Sequence, residues 1–90
     1  MEWKLFADLR EVAGERTIDV DVEPGDTVGD ALDALLAAHP DLEARVMEDD
    51  EVADHVNVLR NGDNVLHQGG LETELTDGDE LALFPPVSGG

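Results

Sequence analysis

The sequence predicts a two-layer α+β domain in which one main helix packs across one face of a mixed sheet. Several segments alternate apolar and polar residues with a period of two, whereas one segment carries apolar residues at helical spacing. A chain of 90 residues has room for a single core. We therefore expect one domain and no space for a deep enzyme cleft.

The first half of the chain predicts a hairpin. Glu2 to Ala7 alternates and forms the first strand, and Asp8 to Gly14 is a short helical turn that ends at a glycine. Arg16 to Glu23 alternates strictly and forms the second strand, antiparallel to the first.

The main helix is predicted to begin after Thr27, which can cap it together with Asp30. Its apolar stripe follows the i, i+4, i+7, i+8 pattern and consists of Val28, Leu32, Leu35 and Leu36. We expect the helix to end at His39, because the residue before a proline disfavours helical backbone angles.

The second half predicts a short helix at 41–47, an acidic loop at 48–52 and further strands. A strand from His55 to Gly62 runs into an Asn-Gly turn, and 64–75 reads as a short strand followed by a loop. A tight turn at 76–80 leads to the last strand, Leu81 to Phe84. The alternation directs nine residues to the helix: Trp3, Leu5, Ile18, Val20, Val22, Val56, Val58, Leu81 and Leu83.

Charge excludes some functions. The chain has 23 Asp and Glu against five Lys and Arg, a formal net charge of -18. Nucleic-acid binding needs Lys and Arg to neutralise phosphates, so we exclude it as a main function. The hydrophobic content of 41% indicates a folded protein, and self-repulsion is screened in a saline cytoplasm, where the Debye length is about 3 Å at 1 M salt.

The absence of cysteine and of membrane or secretion signals excludes further kinds of function. Without cysteine the chain has no disulfide, thiolate metal site or Cys nucleophile. It lacks both the roughly 20 apolar residues of a membrane span and a secretory signal pattern. We therefore expect a cytoplasmic protein with no membrane partner. His39, His55 and His67 lie on different predicted elements, so we expect no metal site.

Three stretches together resemble one family: "WKLFADLREVAG", "TVGDALDAL" and, above all, the final "LTDGDELALFPPVSGG". They are similar to the ubiquitin-like β-grasp proteins, in the branch of the molybdopterin synthase small subunit and the small archaeal modifier proteins. The acidic bias is similar to that of haloarchaeal members. The resemblance implies a mixed four- to five-stranded sheet packed on one main helix, with short extra helices. It places the domain at 1–86 and a flexible Gly-Gly tail at 87–90.

The resemblance also implies where the chemistry lies. In this family an E1-like enzyme uses ATP to adenylate the terminal glycine, here Gly90, which follows Gly89. The adenylate then becomes a thiocarboxylate that donates sulfur to molybdopterin or tRNA, or an isopeptide bond to a lysine of a target protein. The chain is thus expected to be a monomer when free, to bind no cofactor and to supply no catalytic residue. Its expected partners are the E1-like enzyme, target lysines and the molybdopterin synthase large subunit.

The residue types of the ending suit this chemistry. Glycine lacks a Cβ, so Gly89 and Gly90 can enter a narrow channel. Pro85 and Pro86 have a fixed φ, which favours an extended exit from the sheet. A stiff spacer followed by a thin tip reduces the entropy that is lost when an enzyme binds the tail.

A docking face is predicted from the same strands. The outward residues of the first, third long and last strands are Lys4, Phe6, Leu59, Ala82 and Phe84. In a β-grasp sheet these strands are neighbours, so Phe6, Phe84 and Leu59 would form an apolar patch beside Pro85, Pro86 and Val87. Exposed apolar patches usually mark partner sites.

Lys4 is the one lysine of the chain, so Lys4 or the amino terminus would be the acceptor for self-conjugation. Three functions stay open on the sequence. They are a covalent modifier, a dedicated sulfur carrier and a non-covalent binding module that would work without Gly89 and Gly90.

Overall fold

The computed structural model describes residues 1–49, 51–53, 56–65 and 69–84. The strands are β1 Glu2–Leu5, β2 Thr17–Asp19, β3 Met47–Glu48, β4 Glu51–Val52, β5 Asn57–Arg60, β6 Asp63–Asn64 and β7 Glu80–Phe84. The helices are α1 Asp8–Ala13, α2 Val28–Ala38 and α3 Glu43–Val46, and 3-10 turns lie at Pro40–Leu42 and Gly70–Glu72.

Five of the described strands form one mixed sheet in the order β2-β1-β7-β5-β6. The central pair, β1 and β7, is parallel, with Trp3 opposite Leu81. β2 is antiparallel to β1, and β5 is antiparallel to both β6 and β7. The predicted architecture, a mixed sheet of up to five strands with one main helix, is confirmed.

The core lies between the sheet and α2. All four residues of the predicted helix stripe are buried, together with eight of the nine strand residues assigned to this side; Val22 is half-buried. Trp3 is 0% exposed, and its Nε1 donates a hydrogen bond of 3.0 Å to the carbonyl oxygen of Ala31 on α2. This bond satisfies the indole N–H and joins β1 to the helix.

The predicted helix start is confirmed in detail. The backbone N–H of Asp30 donates to Thr27 Oγ1 at 3.1 Å, and the backbone N–H of Thr27 donates to Asp30 Oδ2 at 3.0 Å. This reciprocal pair is a capping box, which satisfies two N–H groups that a helix start leaves unpaired. The helix ends at Ala38, before His39 and Pro40, as predicted.

Both strands of the first hairpin are shorter than predicted. β1 ends at Leu5 because the backbone turns at Ala7, which has φ 53° and precedes α1. β2 ends at Asp19 because its partner strand begins at Glu2. Beyond this pairing, the Val20 N–H donates to the Met1 carbonyl and the Met1 ammonium donates to the Val20 carbonyl. Gly14 ends α1 in the left-handed conformation, as predicted.

The prediction that the acidic segment 48–52 is a loop was wrong. Met47 pairs with Val52 and Glu48 pairs with Glu51, which makes β3 and β4 a small antiparallel hairpin. The predicted helix at 41–47 is also shorter, because its first residues lie in a 3-10 turn and Met47 belongs to β3. Sequence periodicity does not resolve strands of two residues.

Candidate docking face and C-terminal tail

Two phenylalanines stack on the outer face of the sheet, the side away from α2. The rings of Phe6 and Phe84 have centroids 4.1 Å apart and planes inclined by 7°. Phe6 directly follows β1 and Phe84 ends β7. Because these strands are parallel neighbours, their carboxyl ends meet at one end of the sheet. The predicted proximity of the two rings is therefore present in the structure.

Leu59 and Ala82 lie on the same face. Their Cα atoms are partners in the β5–β7 pairing, and both side chains are half-buried. Phe6 is 37% exposed and is the one exposed large hydrophobic residue among those that the structure describes. We call Phe6, Leu59, Ala82 and Phe84 the outer-face patch.

Lys4 borders the outer-face patch. Its backbone is opposite Ala82, and its Nζ lies 3.4 Å from Glu80 Oε1. Both side chains are largely in solvent, with 43% and 67% exposed, so this ion pair adds little stability. The amine stays accessible for reaction.

A hydrogen-bond network holds the start of β7, the strand that leads to Phe84. The Asp79 carboxylate accepts bonds from the Thr76 backbone N–H at 2.7 Å and the Arg60 Nε at 2.8 Å on one oxygen. The other oxygen accepts from Asn61 Nδ2 at 2.9 Å and Thr76 Oγ1 at 3.0 Å. Asn61 also exchanges hydrogen bonds with the backbone of Glu80. The turn before β7 is thus joined to the β5–β6 turn.

The network determines the charge state of Asp79, whose side chain is 6% exposed. Burial alone would raise the pKa of its carboxyl. The hydrogen bonds from Thr76, Asn61 and Arg60 outweigh burial and hold that pKa well below its usual range. The carboxylate is therefore ionised throughout the neutral range.

Replacing Asp79 by Asn should destabilise the domain by about 2 kcal/mol at pH 7, because donors that face a carboxylate would then face an amide. A depressed folded-state pKa stabilises the fold above the unfolded value of about 3.9, and this contribution declines as the pH falls below it. The difference between wild type and Asp79→Asn, measured by urea unfolding in high salt, should therefore shrink below about pH 4.

The matched control is Asp77→Asn, an exposed position in the same turn, which should change the unfolding free energy by less than about 0.5 kcal/mol. A pH-independent difference between wild type and Asp79→Asn would contradict the assigned role of the carboxylate.

Several predicted site residues lie outside the described residues: Pro85, Pro86, Val87, Gly89 and Gly90 in the tail, and also His55 and His67. His39 is described, and its Nε2 is 3.5 Å from Glu15 Oε2. Among the described residues, no group of three or more His, Asp or Glu side chains is placed to hold a metal ion. No helix in the same part of the chain has the length and apolar character needed to cross a membrane.

The sequence analysis did not predict the hydrogen-bond network of Asp79, which holds the start of β7. The signal was present as the Thr-x-x-Asp spacing of Thr76 and Asp79, which is related to the spacing of a capping box. The partners Arg60 and Asn61 carry no local signal, because they are 19 and 18 residues away from Asp79 in sequence.

Comparisons with known proteins agree with the fold. A model of the ThiS family matches residues 3–90. Small archaeal modifier protein 1 of Haloferax volcanii is 65% identical over 91 residues, which cover all of both chains. A crystal structure of that Haloferax volcanii protein has a TM-score of 0.88 at 65% identity, over 100% of this chain and 98% of the other.

A sulfur carrier is also similar over most of the chain. The molybdopterin synthase sulfur carrier subunit of Escherichia coli is 38% identical over 85 residues, which cover 94% of this chain and 93% of that protein. The family match takes in both the outer-face patch and the Gly-Gly ending. The chain therefore belongs to the ThiS family of ubiquitin-like β-grasp proteins, whose members similar to it include a small archaeal modifier protein and a molybdopterin synthase sulfur carrier subunit.

Proposed function

We propose that this chain is a ubiquitin-like protein modifier whose terminal glycine, Gly90, is activated by an E1-like enzyme and joined to lysines of target proteins. It also serves as a thiocarboxylate sulfur carrier. The observation that carries the proposal is the 65% identity to small archaeal modifier protein 1 over the full length of both chains. The relationship to a sulfur carrier subunit supports the second role.

The proposed chemistry begins at the Gly90 carboxylate. A free α-carboxylate has a pKa of about 3.5, so it is ionised and does not acylate amines. One carboxylate oxygen attacks the α-phosphorus of ATP, the bond to the β-phosphate breaks, and pyrophosphate leaves. The product is an acyl adenylate, whose carbonyl carbon now carries a good leaving group.

The two roles diverge at this adenylate. A lysine amine attacks the carbonyl carbon, AMP leaves, and loss of a proton gives the isopeptide bond. Alternatively, hydrosulfide (HS⁻) attacks the carbonyl carbon, AMP leaves, and loss of a proton gives the thiocarboxylate. Because the chain has no cysteine, it has no side-chain thiol that could attack the activated carbonyl.

In this proposal the chain contributes recognition and not catalysis. The outer-face patch docks on the activating enzyme, and 85–90, which follows Phe84 directly in sequence, enters the ATP site of that enzyme. ATP is consumed by the partner, and the chain itself binds no cofactor. The reactions take place in the cytoplasm, with the free chain as a monomer.

A Ser88→Arg variant would test conjugation sharply. The wild-type chain has no Lys or Arg after Arg60, so trypsin would leave a long remnant on targets. With Ser88→Arg, trypsin should leave a Gly-Gly remnant on target lysines, which digest mass spectrometry detects. Ser88→Ala is the matched control, expected to conjugate without giving that remnant. If the Ser88→Arg protein still forms its thiocarboxylate but leaves no Gly-Gly remnant on any lysine, the modifier role would be overturned.

A dedicated sulfur carrier is the second candidate, favoured by the similarity to the molybdopterin synthase subunit. In that case the purified chain would carry sulfur in place of one terminal oxygen, and its deletion would abolish molybdoenzyme activity without removing any conjugates. If instead deletion of Gly89 and Gly90 left the function intact, the chain would be a non-covalent binding module.

A further inference from the structure

A groove lies in the helix layer, away from the outer face of the sheet. It is formed by the second half of α2, the Pro40–Leu42 turn, α3 and β3, and its volume is about 1050 Å³. Sites for drug-sized ligands have volumes of about 300–1,000 Å³, so the groove has room for several side chains of a partner. None of the outer-face patch residues lines it.

The floor of the groove is apolar, and two of its five residues are alanines. Its members are Leu36, Ala37, Pro40, Ala44 and Met47. Ala37, Pro40 and Ala44 are exposed, and Met47 is half-buried. Short side chains allow a second backbone to approach closely, and the flexible Met47 side chain can adapt to what binds there.

The rim of the groove is acidic. Asp33, Glu43 and Asp49 line it, all three are exposed, and no basic side chain of the described residues does so. Among the described residues none of these three carboxylates forms an ion pair. Arg45 on α3 is directed elsewhere, since its guanidinium lies 2.7 Å from Asp8 on α1. An apolar floor between unpaired carboxylates is complementary to a cationic and apolar ligand.

We propose that this groove binds a basic amphipathic helix of a partner protein non-covalently. The apolar face of that helix would lie on Ala37, Ala44 and Met47, and its Lys or Arg residues would reach Asp33, Glu43 and Asp49. The groove is separate from the outer-face patch, so this partner can bind while the activating enzyme holds the sheet and the tail. The inference does not depend on the chemistry at Gly90.

The probe is a synthetic amphipathic helix of about five turns (roughly 18 residues), with Leu on one face and Lys and Arg beside it. Its scrambled sequence has the same charge but no apolar face. In about 1 M KCl, long-range attraction to the acidic chain is screened. We expect backbone NMR signals of Ala37, Ala44 and Met47 to shift with the amphipathic peptide and those of Phe6 and Phe84 to stay.

Variants of the rim and of the floor test the contribution of each to peptide binding. Asp33→Lys/Glu43→Lys should weaken peptide binding about tenfold or more, whereas Asp21→Lys/Asp77→Lys, with the same net charge, should not. Ala44→Gln should weaken binding because it places a polar side chain on the floor. Equal binding of the scrambled peptide, shifts centred on Phe6 and Phe84, or equal losses in the two charge variants would each overturn the proposal.

Discussion

A chain extended by one tryptophan after Gly90 is expected to fold normally and to lose both conjugation and thiocarboxylate formation. The extension moves the free carboxylate to a bulky residue, and the former Gly90 carboxylate becomes an ordinary amide. A side chain at the tip also removes the backbone freedom for which two glycines are suited. Conjugates and the thiolated form should both fall to the level of a deletion strain, as measured by immunoblot and intact mass.

The control for this experiment is an added glycine, which keeps a thin tip and a terminal glycine carboxylate. It should retain more activity than the tryptophan extension, whose intact mass must show that it has not been trimmed. An untrimmed tryptophan variant with wild-type conjugation would contradict the proposed role of Gly90.

Removal of the stacked rings is expected to have the second largest effect. Phe6 and Phe84 are partly exposed, stack on each other and lie outside the core cluster, so the Phe6→Ala/Phe84→Ala variant should stay folded. Aromatic anchors at the centre of an interface contribute about 2 kcal/mol or more each. Because such contributions are not additive, we take the loss of one anchor as the lower bound and expect affinity for the activating enzyme to fall at least about thirtyfold, as measured by calorimetry.

Val52→Ala is the matched control, because Val52 is half-buried and lies in the β3–β4 hairpin, outside the five-stranded sheet. Its affinity for the enzyme should equal that of the wild type. Unchanged affinity in the Phe6→Ala/Phe84→Ala variant, with an unfolding midpoint close to the wild type, would remove the outer-face patch from the docking site.

Local patterns in the sequence were sufficient to predict most of the fold. The alternation around Trp3 and Ile18 and the stripe from Val28 to Leu36 place the core, because burial of one face is what produces these periods. The Thr27–Asp30 box and Pro40 fix both ends of α2 for reasons local to the backbone. The Asn61-Gly62 turn adopts positive φ at both residues, as such hairpin turns require.

Features that depend on distant partners were not predictable in this way. β2 ends early because its partner strand β1 begins at Glu2, which is opposite Asp19, and not because its own alternation stops. The β3–β4 hairpin is built from a run of acidic residues that reads as a loop. The groove exists because α3 and β3 pack beside the second half of α2, and no periodicity specifies that arrangement.

In the candidate site, too, features set by local sequence were predictable, and features that depend on distant partners were not. That Phe6 and Phe84 share a face follows from strand alternation, but their stacking at 4.1 Å depends on the parallel register of β1 and β7. The Asp79 network likewise joins two turns that are distant in sequence. The reactive role of the tail stays a prediction that the family resemblance implies, and its glycine and proline residues suit that role because they free or restrict the backbone locally.

The most direct test follows the oxygen atoms of the terminal carboxylate through the reaction. A chain that carries oxygen-18 in its Gly90 carboxylate alone is incubated with the activating enzyme, ATP and a target protein, and the released AMP is analysed by mass spectrometry. Attack of this carboxylate on ATP predicts AMP that contains one oxygen-18 atom for each conjugate formed. Conjugates that appear together with unlabelled AMP would contradict the account.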